Sequence, residues 1–353
     1  MKSNVNFAFI RHGYGCHNAI SGLIKSELIS LQDGLILSGK SKEKSSIIDP
    51  VLTQVGVDAS IHNGCVVNKI FKSIDQILQI NYNDSMNMDK IDVIGCSPLI
   101  RCMETAYYMS RSWPNPPSKI YVFPFLREID ERSDNKFSFE SRITMNSKPF
   151  YAMKTIEEQK KYLDSLGILN FFDFSFVEKF KRERAEPGDI DNFMKWFFVE
   201  KKKLKENKEN LNVFIVTHAG VLNDFADDEM GFINNSGFVI NTFYDEQTFT
   251  DDDDDDDDDD GTIYMKKYIS LNPFLDFFNF YKDYKSTNVK EYYCPSNRCG
   301  TLCSVMNDKD KKDTFTNAVD RRQGLEHINV TCDINKKIDI PSLLKILNLT
   351  DDV

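Results

Sequence analysis

Short apolar runs alternate with longer amphipathic stretches along this 353-residue chain. The apolar runs are rich in branched and aromatic side chains, a pattern typical of buried strands. Six such runs predict strands, at residues 5–10, 91–95, 119–123, 212–217, 238–243 and 262–269. Helical patterns separate the earlier runs, at residues 19–30, 54–78 and 97–109, and again from residue 221. Strands that alternate with helices indicate an α/β protein built on an open sheet.

Two of the predicted helices begin at recognisable capping residues. Thr53 is a predicted N-cap for the helix that runs to about residue 78. Ser97 followed by Pro98 is a favoured helix start, with a cap residue and then proline at the first helical position. This start places Arg101 about one turn into its helix, from where its side chain can reach back towards the preceding strand.

Residues 133–210 carry amphipathic, Lys- and Glu-rich runs and no strand pattern. We interpret them as a helical insertion packed against the sheet. The aromatic segment at 171–176 is predicted to pack in the core rather than to bind a ligand. Beyond residue 273 the sequence becomes aromatic and then Cys- and Lys-rich, which predicts a C-terminal extension at 274–353 of unassigned role.

Ten consecutive Asp residues at 251–260 account for ten of the eleven net negative charges, so the remaining chain is nearly neutral. We therefore expect no nucleic-acid-binding face and no membrane binding, and we interpret the Asp tract as a solvated hairpin loop. The sequence contains no apolar run long enough to span a bilayer and no secretory signal pattern. Eight scattered Cys suit reduced thiols, and together these features predict a cytoplasmic protein.

Two further patterns carry little weight. Residues 34–41 match G-x4-G-K-[ST], but a helical pattern precedes them where a phosphate-binding loop needs a buried strand. A zinc site would draw on Cys294, Cys299 and Cys303 with His327 or Cys332. Because the cysteine spacing lacks the usual C-x2-C hairpin, we predict neither a metal site nor a cofactor, and the zinc question stays open.

Polar side chains follow four of the predicted strands at the point where each strand ends. Arg11 and His12 end the first strand, and His218 follows the strand at 212–217. Arg101 lies in the helix after the second strand, and Glu128 follows the third. Since the carboxyl ends of parallel strands meet at one edge of a sheet, we expect these side chains to converge.

Two arginines and two histidines around one point form a cationic cradle that suits a phosphoryl group. An unopposed cluster of cations is costly to bury, so an anionic ligand is expected. A neutral imidazole can attack phosphorus directly and form a covalent phosphohistidine. Arg11, Arg101 and His218 would stabilise the equatorial oxygens in the transition state. A carboxyl group at the rim would protonate the leaving alcohol and then deprotonate water.

Several motifs follow one another in the order found in the histidine phosphatase superfamily, and the chain resembles its phosphoglycerate-mutase-like branch. They are R-H-G at 11–13 with Asn18, D-x-x-L-T-x-x-G at 49–56, S-P-L-x-R-x-x-x-T-A at 97–106, L-x-E at 126–128, T-H-A-G at 217–220 and N-N-S at 234–236. The resemblance covers about residues 5–272. It implies a catalytic domain at residues 1–273, with 133–210 as its cap.

The resemblance also implies a three-layer αβα fold with a mostly parallel central sheet, and it assigns roles to residues. His12 is the implied phosphorylated nucleophile. The implied phosphate pocket consists of Arg11, Asn18, Arg101 and His218. Glu128 is the implied proton donor, and register with the preceding strand favours it over Glu131.

Two positions depart from the family pattern. Tyr14 stands where mutase-type members usually carry an acidic or amide residue, and Ala219 replaces a glycine. The turn at 15–18 looks like that of broad phosphatase-type members. We therefore predict a phosphomonoester hydrolase that acts on a small phosphorylated substrate. Phosphoglycerate-mutase-type transfer is one alternative, and a catalytically silent phosphate-binding scaffold is another.

Each candidate residue also has a purely structural interpretation. The two histidines can be satisfied core residues, Arg101 can pair with Glu104, and Glu128 can pair with Arg132. Their coincidence at four strand ends favours the functional interpretation. A cysteine-based phosphatase is excluded, because only four residues separate Cys96 from Arg101 where that chemistry requires five. We assign no role to His17 or His62.

Overall fold

The computed structural model describes residues 4–18, 49–79, 88, 90–129, 153–204, 210–223, 235–244, 264–271, 331–332 and 336–337. The strands in these segments form one sheet in the order β4-β3-β2-β5-β1-β6-β7-β8-β9. Their bounds are β1 Asn4–Arg11, β2 Val93–Cys96, β3 Ile120–Val122, β4 Phe172–Asp173, β5 Asn210–Thr217, β6 Phe238–Tyr244, β7 Tyr264–Leu271, β8 Thr331–Cys332 and β9 Lys336–Lys337. The five strands from β4 to β1 are parallel, and β6 to β9 add antiparallel pairs.

Helices cover both faces of this sheet. Their bounds are α1 Gln54–Gln79, α2 Ile100–Arg111, α3 Ile156–Ser165, α4 Ser175–Lys179, α5 Lys181–Ala185, α6 Ile190–Leu204 and α7 Ala219–Asn223. Alternate side chains of β1 lie on opposite faces of the sheet. Ala8 and Ile10 pack with α1 and α2, whereas Phe7 and Phe9 pack with α6. Burial on both faces explains the continuous apolar run in β1. The predicted three-layer αβα architecture is confirmed.

The described part of the predicted insertion, residues 153–204, is helical as expected, with one exception. Its β4 strand, Phe172–Asp173, pairs in parallel with β3 and continues the sheet. The prediction that this region lacks strands is wrong here, because two residues are too few to show an alternating pattern. The aromatic segment packs as predicted, since Phe172, Phe174 and Phe176 are buried.

The start of α2 differs from its prediction. The helix begins at Ile100, and its N-cap residue Leu99 makes no side-chain capping bond. Instead, the Ile100 amide donates to Asp49 Oδ1 at 2.9 Å. A carboxylate fifty-one positions away in the chain thus replaces the predicted Ser97 cap. Thr53 does cap α1, because its Oγ1 accepts the Gly56 amide at 3.0 Å.

Cys16 is disulfide-bonded. The expectation of eight reduced thiols is therefore wrong for this residue, since spacing along the chain does not show which thiols approach each other in the fold. None of the described helices has the length and apolarity to cross a membrane. Several predictions lie outside the described residues: the helix at 19–30, the motif at 34–41, Glu131, Arg132, the Asp tract at 251–260, and Cys294, Cys299 and Cys303.

Candidate active site

The four strands that precede the candidate residues are neighbours in the sheet and run in parallel, in the order β3-β2-β5-β1. Their carboxyl ends therefore meet at one edge. The rings of His12 and His218 lie there with centroids 5.2 Å apart. His218 Nδ1 lies 3.1 Å from Nη2 of Arg101 and 3.6 Å from Oε2 of Glu128. The predicted convergence is confirmed.

The hydrogen bonding of His12 determines which ring nitrogen is available for reaction. Its Nδ1 lies 2.7 Å from the Gly13 carbonyl oxygen. A carbonyl can only accept, so Nδ1 carries the proton and Nε2 carries the lone pair. The side chain is 1% exposed, and burial lowers the pKa of His12 well below its usual value, with Arg101 and Arg11 adding to the effect. The ring is neutral with a nucleophilic Nε2.

His218 is held in the opposite tautomer. Arg101 Nη2 is 3.1 Å from its Nδ1, and a guanidinium can only donate, so Nδ1 accepts. Nε2 therefore carries the proton and donates to Ser97 Oγ at 2.8 Å. Burial, and then the charge of Arg101, lower the pKa of His218 well below its usual value. His218 is thus a neutral ring that orients Arg101.

Both arginines of the site are buried, Arg11 at 8% and Arg101 at 2% exposure. Burial lowers the pKa of Arg11 to about 10, which still leaves it a cation at neutral pH. Among the described residues, Nε of Arg101 has no hydrogen-bond partner. Burying such cations is costly unless an anion is bound. The buried charges of Arg11 and Arg101 therefore favour a negatively charged ligand over a cation.

Glu128 lies at the rim of the site with 21% of its side chain exposed. Its Oε1 accepts the Gly220 amide at 3.1 Å. Burial raises the pKa of Glu128, whereas Arg101 and Arg11 oppose the shift. A raised pKa makes a carboxyl group easier to protonate, which is the property that a proton donor needs.

Asn18 lies at the turn that follows His12. Its Oδ1 accepts the Gly15 amide at 2.9 Å, which closes the turn. Asn235 holds the same loop from the other side, because its Nδ2 donates to the His12 carbonyl at 2.9 Å and to the Gly13 carbonyl at 3.2 Å. The predicted phosphate-site residue therefore shapes the loop through its oxygen.

Sequence reasoning gave His17 no role, yet its ring lies in the site. The His17 centroid is 5.3 Å from that of His12. A Cβ on Gly15 would come within 2.8 Å of His17 Nδ1, so the glycine makes room for this ring. The signal that could have revealed His17 is its place in the Gly-bearing turn between His12 and Asn18.

Two other chemistries can be tested against the same geometry. Ligand atoms of His12, Glu128 and His218 lie within 4.8 Å of one another, a spacing that a metal ion could use. The buried cations Arg11 and Arg101 stand beside this group and would repel a divalent cation while attracting an anion. Charge therefore favours an anionic ligand over a metal ion.

A thiolate nucleophile is also disfavoured. Burial raises the pKa of Cys96 well above its usual value, so the thiol stays protonated. Burial likewise raises the pKa of Cys102, whose Sγ lies 3.4 Å from Nε2 of His218. The imidazole of His12 is the better nucleophile of this site.

No family model matches the chain, and no curated protein matches it.

Proposed function

We propose that this protein is a phosphomonoester hydrolase that acts through a phosphohistidine on His12, as a member of the histidine phosphatase superfamily would. The observation that carries the proposal is the neutral His12 ring, whose Nδ1 is bonded to the Gly13 carbonyl at 2.7 Å beside two buried guanidinium groups. This arrangement combines a preformed nucleophile with a preformed anion site. Both are needed for metal-independent phosphoryl transfer.

The first step transfers the phosphoryl group to the enzyme. Arg11 and Arg101 hold the phosphoryl oxygens, and Nε2 of His12 donates its lone pair to phosphorus. The phosphorus–oxygen ester bond breaks, and its electron pair leaves with the alcohol oxygen. Glu128 gives its proton to that oxygen, so the alcohol departs neutral.

The second step returns the enzyme to its starting state. The Glu128 carboxylate takes a proton from water, and the water oxygen attacks phosphorus. The nitrogen–phosphorus bond breaks, and its electron pair returns to Nε2 of His12. Orthophosphate leaves and Glu128 is again protonated. Nδ1 of His12 keeps its proton on the Gly13 carbonyl through both steps.

His218 acts through its neighbours, because both of its ring nitrogens are already bonded to protein groups. Its Nδ1 accepts from Arg101 at 3.1 Å, and its Nε2 donates to Ser97 at 2.8 Å. These two bonds fix the plane of the ring and the direction of the guanidinium. A fixed guanidinium costs no reorganisation when charge develops on the phosphoryl oxygens.

A generic aryl phosphate assay tests the proposal. Wild-type protein should release the phenol and form an adduct that is labile in acid and stable in base, as a phosphoramidate bond requires. His12→Ala should lose both activity and adduct. A wild type that binds orthophosphate without turnover would instead support a scaffold. Addition of phosphoglycerates with a bisphosphoglycerate primer separates a mutase from a hydrolase.

A further inference from the structure

Two buried carboxylates lie next to the candidate active site without taking part in its chemistry. Asp49 is 2% exposed and Glu104 is fully buried. Each accepts a backbone amide: Asp49 Oδ1 accepts Ile100 at 2.9 Å, and Glu104 Oε2 accepts Leu52 at 2.6 Å. A buried carboxylate needs such donors to offset the loss of hydration.

The two amides belong to the segments that carry the phosphate site. Ile100 is the first residue of α2 and directly precedes Arg101. Leu52 forms a β-bridge with Gly15 in the loop that follows His12. Beside this bridge, the Cys16 amide donates a hydrogen bond to the Val51 carbonyl at 2.9 Å. One carboxylate thus anchors the arginine helix, and the other anchors the nucleophile loop.

The helical insertion supplies the second partner of both carboxylates. Gln159 Nε2 donates to Asp49 Oδ2 at 2.6 Å, and the Tyr162 hydroxyl donates to Glu104 Oε1 at 2.8 Å. Both donors come from α3, and residues three apart on a helix share one face. Gln159 is itself held by Arg184, whose Nη2 donates to its Oε1 at 2.6 Å.

We propose that α3 is a positioning element of the phosphate site. Its residues Gln159 and Tyr162 hold Asp49 and Glu104, respectively. The two carboxylates in turn fix the positions of Arg101 and of the loop that follows His12. The proposal rests on the proposed function, because it assigns these contacts to phosphate binding. The insertion is then a part of the active-site framework.

The electrostatics of Asp49 support this assignment. Burial raises the pKa of Asp49, and the hydrogen bond from Gln159 is the largest effect that opposes the shift. Loss of that donor raises the pKa further, so the carboxyl takes up a proton at a higher pH. A protonated Asp49 is a weaker acceptor for the Ile100 amide, and the start of α2 loosens.

The variant Gln159→Leu removes the donor to Asp49. The variant Tyr162→Phe removes only the hydroxyl group that donates to Glu104, and it is used if Gln159→Leu folds poorly. Lys160→Ala is the matched control, because Lys160 lies on the same helix and pairs with exposed Glu178. Orthophosphate affinity is measured by calorimetry, and kcat and KM with an aryl phosphate. Gln159→Leu should bind orthophosphate about tenfold more weakly. Lys160→Ala should match the wild type.

The nitrogen shifts of the histidine rings give a readout that needs neither ligand nor turnover. Gln159→Leu should shift the His218 signals, because Arg101 no longer holds Nδ1 as an acceptor, whereas Lys160→Ala should leave them in place. A folded Gln159→Leu with wild-type orthophosphate affinity and wild-type ring shifts would overturn the positioning role alone. A wild type that binds no orthophosphate would overturn the proposed function, and the ring shifts would still decide the positioning of Arg101.

Discussion

Replacing Arg101 with Lys keeps a cation in the site but removes the planar fork of donors. Arg101 is 2% exposed, and its Nη2 lies 3.1 Å from Nδ1 of His218. A lysine ammonium is a point charge on a flexible stem and cannot serve both the imidazole and the phosphoryl oxygens in this geometry. We therefore expect Arg101→Lys to lose one charge-assisted hydrogen bond to the transition state.

Such a bond is worth about 1.5–3 kcal/mol, which corresponds to a fall of about 10- to 150-fold in kcat/KM. The assay measures kcat/KM with an aryl phosphate. Arg111→Lys is the control, since Arg111 lies on the same helix but stacks on the ring of Phe171 at 4.1 Å. It should keep the wild-type value. A kcat/KM for Arg101→Lys within about threefold of wild type would refute the assigned role.

Three further outcomes are expected. Glu128→Gln should lower kcat about 10²- to 10⁴-fold for alkyl phosphates, which need a protonated leaving group, and much less for a nitrophenyl phosphate; equal losses would contradict the acid role. Gly95→Ala should destabilise the fold by about 1–3 kcal/mol in urea unfolding, without a specific effect on the site, because a Cβ there would lie 2.1 Å from the ring of Phe123; an unchanged midpoint would contradict this packing. The lowered pKa of His12 means that the unfolded chain takes up a proton that the folded chain does not. The contribution of His12 to the free energy of unfolding is therefore fully present above the usual imidazole pKa of about 6.5. It is lost as the pH falls below that value. The decline should be shallower in His12→Asn, by about 1.4 kcal/mol per pH unit, and parallel curves would contradict the shift.

The sheet and most of the site could be predicted because they depend on local pattern. Strands buried on both faces, such as β1 and β5, appear as continuous apolar runs. Parallel neighbours bring their carboxyl ends together, so His12 and His218 could be placed at one edge from strand ends alone. The α/β class and the convergence of the candidate residues follow from these two rules.

The parts that could not be predicted depend on contacts between distant segments. Asp49 caps α2 across fifty-one positions, and Gln159 reaches Asp49 across one hundred and ten. A single sequence carries no signal for such pairs. Glu104 likewise accepts from Leu52 and Tyr162, which are far from it in the chain.

The most direct test of the account is to locate the phosphoryl group on the enzyme. Wild-type protein is mixed with an aryl phosphate labelled at phosphorus, quenched in base during turnover, and digested for mapping. We expect acid-labile label on the peptide that contains His12, with phosphorus bonded to Nε2 because Nδ1 donates its proton to the Gly13 carbonyl. Turnover with label on another residue, or with an acid-stable adduct, would contradict it.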